Sequence, residues 1–133
     1  MLKREVIQSL IREAKRARKR AYAPYSKFLV GAAVLGGSGK IYGGCNVENA
    51  SYGLTICAER AAIFRAISEG EKKIRALAVL FDKVHLGAPC GSCRQVVREF
   101  GKTIPVVQAN LQGHYRIHTV EELLPSSFGP EFL

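Results

Sequence analysis

Three cysteines and one glutamate have the residue types and spacing that metal-assisted hydrolysis requires. Cys57-Ala58-Glu59 stands in one part of the chain and Pro89-Cys90-Gly91-Ser92-Cys93 in another. Each segment falls where a loop enters a helical pattern, so each is expected at a helix N-terminus. Cys90 and Cys93 are three apart and share one face of a first turn. At the other helix end Cys57 and Glu59 can converge, because a metal near the axis is within reach of both. Three thiolates with a fourth position open is the arrangement of catalytic zinc, where a bound water becomes acidic. A carboxylate beside that water, and not itself a ligand, can move protons. Cys57, Cys90 and Cys93 are thus candidate ligands for Zn2+, and Glu59 is a candidate acid–base group.

Charge poses a problem for such a site. Zinc at +2 with three thiolates sums to −1, which makes bound water a poorer acid than a three-histidine site would. Helix N-termini draw electron density from sulfur through their free N–H groups. Arg60, three residues after Cys57, is expected to donate to thiolate sulfur from outside the ligand set, and Arg94, four after Cys90, is also well placed. The plainer reading leaves both arginines solvated. Cys45 is the remaining cysteine. It could complete a four-cysteine structural site, but a catalytic site needs only three, and burial at a strand end is the simpler fate. His85, His114 and His118 sit at no ligand spacing from a cysteine.

The elements that must position these groups follow from periodicity. Val6, Ile7, Leu10, Ile11, Ala14 and Ala17 form one helical stripe, which Pro24 cannot continue. Phe28–Leu35 is an apolar strand, Gly36–Gly39 a turn and Lys40–Val47 a second strand. Asn49–Thr55 is a loop, and a helix runs from Cys57 to about Glu69, stopped by Gly70. Arg75–Phe81 has the unbroken apolar character of a buried strand. A helix is expected over Cys90–Phe100, strands over Ile104–Ala109 and Tyr115–His118, and a short helix over Val120–Leu124. The order α-β-β-α-β-α-β-β-α implies an α/β fold, one mixed sheet with helices on its faces.

The chain has 133 residues, 47% of them apolar, enough for a single domain over 1–133. No apolar run approaches the ~20 residues of a membrane-spanning helix, and the N-terminus lacks the apolar stretch of a secretory signal. We expect a cytoplasmic protein. Lys and Arg exceed Asp and Glu to give a net charge of +9, with Lys15, Arg16, Arg18, Lys19 and Arg20 in the first helix. Without interleaved aromatics such a run reads as a solvated face or a subunit contact.

The two cysteine segments together match the H-x-E…P-C-x-x-C pattern of zinc deaminases, with Cys in place of His. Either half alone is weak, since C-x-x-C also marks redox and structural zinc sites. Five segments, in order, resemble motifs of the cytidine deaminase family. They are Tyr22–Phe28 (YAPYSKF), Gly44–Tyr52 (GCNVENASY), Cys57–Arg60 (CAER), Pro89–Gln95 (PCGSCRQ) and Leu123–Pro130 (LLPSSFGP). The resemblance implies a three-layer α-β-α sandwich with a mixed five-stranded sheet. It also implies hydrolysis of free cytidine and deoxycytidine to uridine and deoxyuridine, through attack of zinc-activated water on C4. Glu59 would pass protons to N3 and to the leaving amino group, in the service of pyrimidine salvage. Asn46 and Glu48 would bind ribose hydroxyls, Phe28 would pack on the base or sugar, and the Ala58 N–H and Pro89 carbonyl would bond the base. Ala50, Tyr52 and Phe128 would reach across subunit boundaries of a homotetramer, with Phe128 stacking on the pyrimidine of a neighbouring site.

Plainer roles stand beside these. Asn46 and Glu48 could satisfy loop backbone groups, and Phe28 and Phe128 could be packing residues. Two other deaminase substrates compete, nucleic-acid cytosine and a cytosine-containing antibiotic. Glu48 argues against the first, because a carboxylate at the sugar would repel phosphate. The Asn46–Asn49 segment argues against the second, by resemblance.

Overall fold

The computed structural model describes all residues, Met1–Leu133. Helix α1 (Arg4–Arg18) is followed by strands β1 (Gly31–Gly36) and β2 (Ile41–Cys45), helix α2 (Ala58–Ser68) and strand β3 (Ile74–Leu80). Helix α3 (Gly91–Arg98), strands β4 (Pro105–Ala109) and β5 (Tyr115–Thr119) and helix α4 (Val120–Leu123) complete the chain, with 3-10 turns at Tyr52–Leu54 and Pro130–Phe132. The five strands form one sheet in the order β2-β1-β3-β4-β5. Only β3 and β4 run parallel, so the sheet is mixed as expected.

Both faces of the sheet are covered, which accounts for strands that are apolar without alternation. Ala33 and Leu35 of β1, with Ala76, Ala78 and Leu80 of β3, pack under Ile7, Leu10, Ile11 and Ala14 of α1. Their neighbours Ala32, Val34 and Leu77 point the other way, against Ala58, Ala62, Ile63 and Ala66 of α2 and Val97 of α3. Two glycines allow the layers to approach. A Cβ on Gly31 would lie 1.9 Å from the Ala14 carbonyl oxygen, and one on Gly44 would lie 2.4 Å from the Ala62 nitrogen. The second contact seats α2 directly on β2 and so fixes where its N-terminus, with Cys57, emerges.

The boundaries depart from expectation where side chains replace ladder bonds. The expected Phe28–Leu35 strand begins only at Gly31, because the Asn46 amide takes over the pairing of Phe28 and Val30. The expected Lys40–Val47 strand closes at Cys45, although Val47 keeps single bridges to Tyr22 and Ile56. Helix α3 stops at Arg98, short of Phe100. The basic end of α1 is not wholly a solvated face: Arg18 Nε donates to the Phe81 carbonyl at 2.9 Å, while Arg16, Lys19 and Arg20 remain exposed.

Candidate active site

Cys57 and Cys90 are the N-cap residues of α2 and α3, both in extended conformation and neither capping with its side chain. The first backbone N–H to find an acceptor within its own helix is that of Ala61, on the Cys57 carbonyl, and likewise that of Arg94, on Cys90. Free N–H groups ahead of them, and the positive ends of two helices, therefore face the same spot. There the sulfurs of Cys57, Cys90 and Cys93 lie within 4.8 Å of one another. Cys57 to Cys90 is 3.8 Å and Cys90 to Cys93 is 3.5 Å. Sulfurs at ~2.3 Å from one tetrahedral zinc stand about 3.8 Å apart, so the donor set fits this ion. Cys45 lies outside the cluster, which removes the four-cysteine structural site. None of the three histidines belongs to it either.

Arg60 Nη2 donates to the Cys57 sulfur at 3.3 Å, as expected. The Cys57 thiol is held down to about 5, first by a hydrogen bond from Cys93 and then by Arg60. Cys93 is raised, because the proton it gives to Cys57 and its burial both oppose a second charge. Arg94 does not serve the sulfurs. Its Nε donates to the Pro89 carbonyl and its Nη1 to the Leu123 carbonyl, each at 2.8 Å.

Glu59, in the first turn of α2, is 3% exposed. Burial is the main reason its carboxyl is pushed up to about 7, with the Cys57 charge adding to the rise and its own backbone N–H opposing it. A carboxyl poised near neutrality can both take and return a proton. Glu59 lines a cavity of about 250 Å³ together with Cys57, Ala58, Cys90, Phe28, Val30, Phe81, Ala88, Ser26, Asn46, Glu48 and Thr55. Five expected residues besides the cysteines thus line it, Phe28, Asn46, Glu48, Ala58 and Glu59. Phe28 and Phe81 form an aromatic pair, centroids 5.0 Å apart, on one wall. Asn46 accepts from the Val30 N–H at 2.9 Å and donates to the Phe28 carbonyl at 2.8 Å, leaving one N–H and one lone pair for a ligand. Glu48 accepts from the Tyr25 and Ser26 N–H groups and from the Ser26 hydroxyl. That hydroxyl is the main cause of its lowered pKa. Both polar residues therefore hold the loop that carries Phe28 while facing the cavity. Pro89 is buried and outside the lining, its carbonyl accepting from Arg94 with a second lone pair unused, and its neighbour Ala88 lines the wall.

The remaining expected residues sit apart. Tyr52 lines an adjoining space of about 370 Å³ that shares Ser26, Glu48 and Thr55 with the first, its ring 6.0 Å from Tyr25. Ala50 is exposed and lines neither. Phe128 is 57% exposed and stacks on Phe132 rather than entering the cavity of its own chain. Sequence reading missed Ser26, Val30, Thr55, Phe81 and Ala88. Only Ser26, inside the YAPYSKF segment, lay in a motif that could have pointed to it.

Two helix N-termini, three clustered cysteine sulfurs and a buried carboxyl beside one cavity form a site suited to zinc-dependent hydrolysis. Residues 4–109 match the cytidine and deoxycytidylate deaminase zinc-binding region, and the chain belongs to that family. It is 50% identical over 128 residues to a cytidine deaminase of Sporosarcina psychrophila, covering 96% of this chain and 94% of the relative. It is 51% identical over 125 residues to one of Halalkalibacterium halodurans, covering 93% and 95%. Among solved structures, a cytidine deaminase from Burkholderia pseudomallei superposes with a TM-score of 0.87 at 50% identity, over 91% of this chain and 98% of that one.

Proposed function

We propose that this chain deaminates free cytidine and deoxycytidine, adding water at C4 and releasing ammonia to leave uridine and deoxyuridine. The observation that carries this reading is Glu59, buried in the lining of the cavity beside Cys57 and Cys90. Cys57, Cys90 and Cys93 hold the zinc ion, which when bound supplies the Lewis acidity that makes water acidic near neutral pH. Glu59 accepts a proton from the attacking water and delivers protons to ring N3 and to the departing amino group. The Ala58 N–H, at the open end of α2, is free to bond the base. Phe28 and Phe81 fix the ring plane, and Asn46 and Glu48 offer their remaining capacity to the sugar hydroxyls. Glu48, ionised and facing the cavity, disfavours a phosphorylated sugar and hence a nucleic-acid strand. The enzyme works as one domain over 1–133, in the cytoplasm, as a homotetramer. Exposed Tyr22, Tyr25, Tyr52, Phe128 and Phe132 support association. No helix is long and apolar enough to cross a membrane.

Following the ultraviolet absorbance of cytidine tests this reading. The zinc-loaded protein is expected to turn cytidine over, and Glu59→Gln to lose about 10²–10⁴-fold in kcat while keeping its metal. Undiminished turnover in Glu59→Gln would remove the proton shuttle. A zinc-loaded parent inert toward cytidine would redirect the assignment to another amino-bearing substrate.

A further inference from the structure

Gln108 is an amide in a place built for apolar side chains. It lies on β4, 2% exposed, and alternation puts it on the same face as Val106, toward α2 and α3. An amide so placed is stable only with both ends bonded. Its Oε1 lies 2.7 Å from His118 Nδ1. The Gly87 carbonyl can only accept, so the amide keeps its NH2 on that side and its oxygen toward the ring, where Nδ1 donates. The NH2 group lies 3.0 Å from that carbonyl.

Gly87 is fastened from the other side as well. Its N–H donates to the Ala109 carbonyl at 2.8 Å. A Cβ there would lie 2.3 Å from the Val79 carbonyl oxygen, so the loop is pressed flat on β3. Ala88, in the cavity wall, is the next residue, and Cys90 follows two later. Elsewhere the same loop is tied by Leu111 N–H to the Asp82 carbonyl, by Asn110 to Val84 and by Arg94 to Pro89. Gln108 is the side chain that reaches the middle of the loop from inside the sheet.

We propose that Gln108, oriented by His118, is a positioning residue for the metal centre. Through Gly87 it sets the Ala88–Cys90 segment at the height over Cys57 that lets three sulfurs share one ion. This rests on the zinc reading of the cysteines and not on which nucleoside is bound. Because other bonds also hold the loop, losing the Gln108 contact loosens the site without unfolding it.

Competition with a chromogenic zinc chelator, well below the melting temperature of the full chain, provides the test. Gln108→Met keeps the volume and removes both bonds. It is expected to weaken zinc binding about tenfold and to raise KM for cytidine, since Ala88 moves with Cys90. His118→Phe is expected to lose less, in the same direction. The double variant should match Gln108→Met alone, because the two residues act in series. Unchanged zinc affinity in Gln108→Met, even with a lowered melting temperature, would reduce Gln108 to a packing role and overturn the proposal. So would losses that add in the double variant. A parent chain that binds no zinc would overturn the metal reading itself, and a parent that binds zinc without deaminating cytidine would leave this inference intact.

Discussion

Arg60 places Nη2 3.3 Å from the Cys57 sulfur while its buried Nε finds no partner. An unbonded buried donor costs ~1–3 kcal/mol, and the attraction of the guanidinium for a thiolate offsets it. Arg60→Ala is therefore expected to move the Cys57 titration up from about 5 toward the ordinary thiol range, read from thiolate absorbance in chelator-treated protein. In the zinc-loaded enzyme the same change should slow turnover by ~10–100-fold. An unmoved titration would assign the low value to the hydrogen bonds from Cys93 and Cys90. At this scale Arg60 beside Cys57, and Cys90 with Cys93, were legible from the first turn of a helix, while the meeting of the two segments, 33 residues apart, came from the family pattern. Arg94 was not legible. It stands on the correct helix, but its acceptor on Leu123 is 29 residues away, and no spacing rule reaches that far. Asn46 and Glu48 were legible as cavity residues but not as loop anchors, since their partners lie 16–23 residues off. Gln108 gave no signal at all, as its role exists only once β4, β5 and the Gly87 loop have met.

Helix α3 carries Cys90 and Cys93 at its N-terminal end and holds the C-terminal segment from further along. Gln95 Nε2 donates to the Phe128 carbonyl at 3.0 Å, and Arg98, 3% exposed, bonds the Ser127 hydroxyl at 2.6 Å and the Glu131 carboxylate. Glu131 is held down to about 2, first by its own backbone N–H and then by Arg98. A folded value below the unfolded 4.5 means that the folded state binds fewer protons. The resulting stability is fully present above 4.5 and is lost as pH falls toward about 2. Thermal melts of the parent and Glu131→Gln should accordingly differ most near neutral pH, with the parent higher. The gap should close through the acid range. A gap that persists at about pH 2 would mean the carboxylate's charge does not hold the segment. Helices and the inner strands were themselves readable from their apolar pattern, because the cores of β1, β3 and β4 are buried on both faces. Their ends were less so. Phe28–Val30 is apolar because it walls a cavity, and it pairs with an amide instead of a strand, which hydrophobicity cannot distinguish from a ladder.

The surface left by this packing keeps several aromatic side chains exposed, some of them beside the site. Tyr25 and Tyr52 border the space next to the nucleoside cavity. Phe128 and Phe132 stack with each other at 5.5 Å and stay open to solvent. A ring held in place by its own backbone bond from Gln95, yet absent from its own cavity, has a use if it enters the cavity of another copy. On the proposed homotetramer, Phe128→Ala should raise KM for cytidine about tenfold or more, the loss of a buried aromatic contact worth ~1–3 kcal/mol, with kcat largely kept. Co-expressing Phe128→Ala with Glu59→Gln separates the two arrangements. If Phe128 serves a neighbour, mixed assemblies contain sites that combine an intact Glu59 with an intact Phe128 from the other variant. A low-KM component, absent from either variant alone, should then reappear. If Phe128 serves only its own chain, no mixed site is whole, and the mixture shows the high-KM activity diluted by the inactive partner.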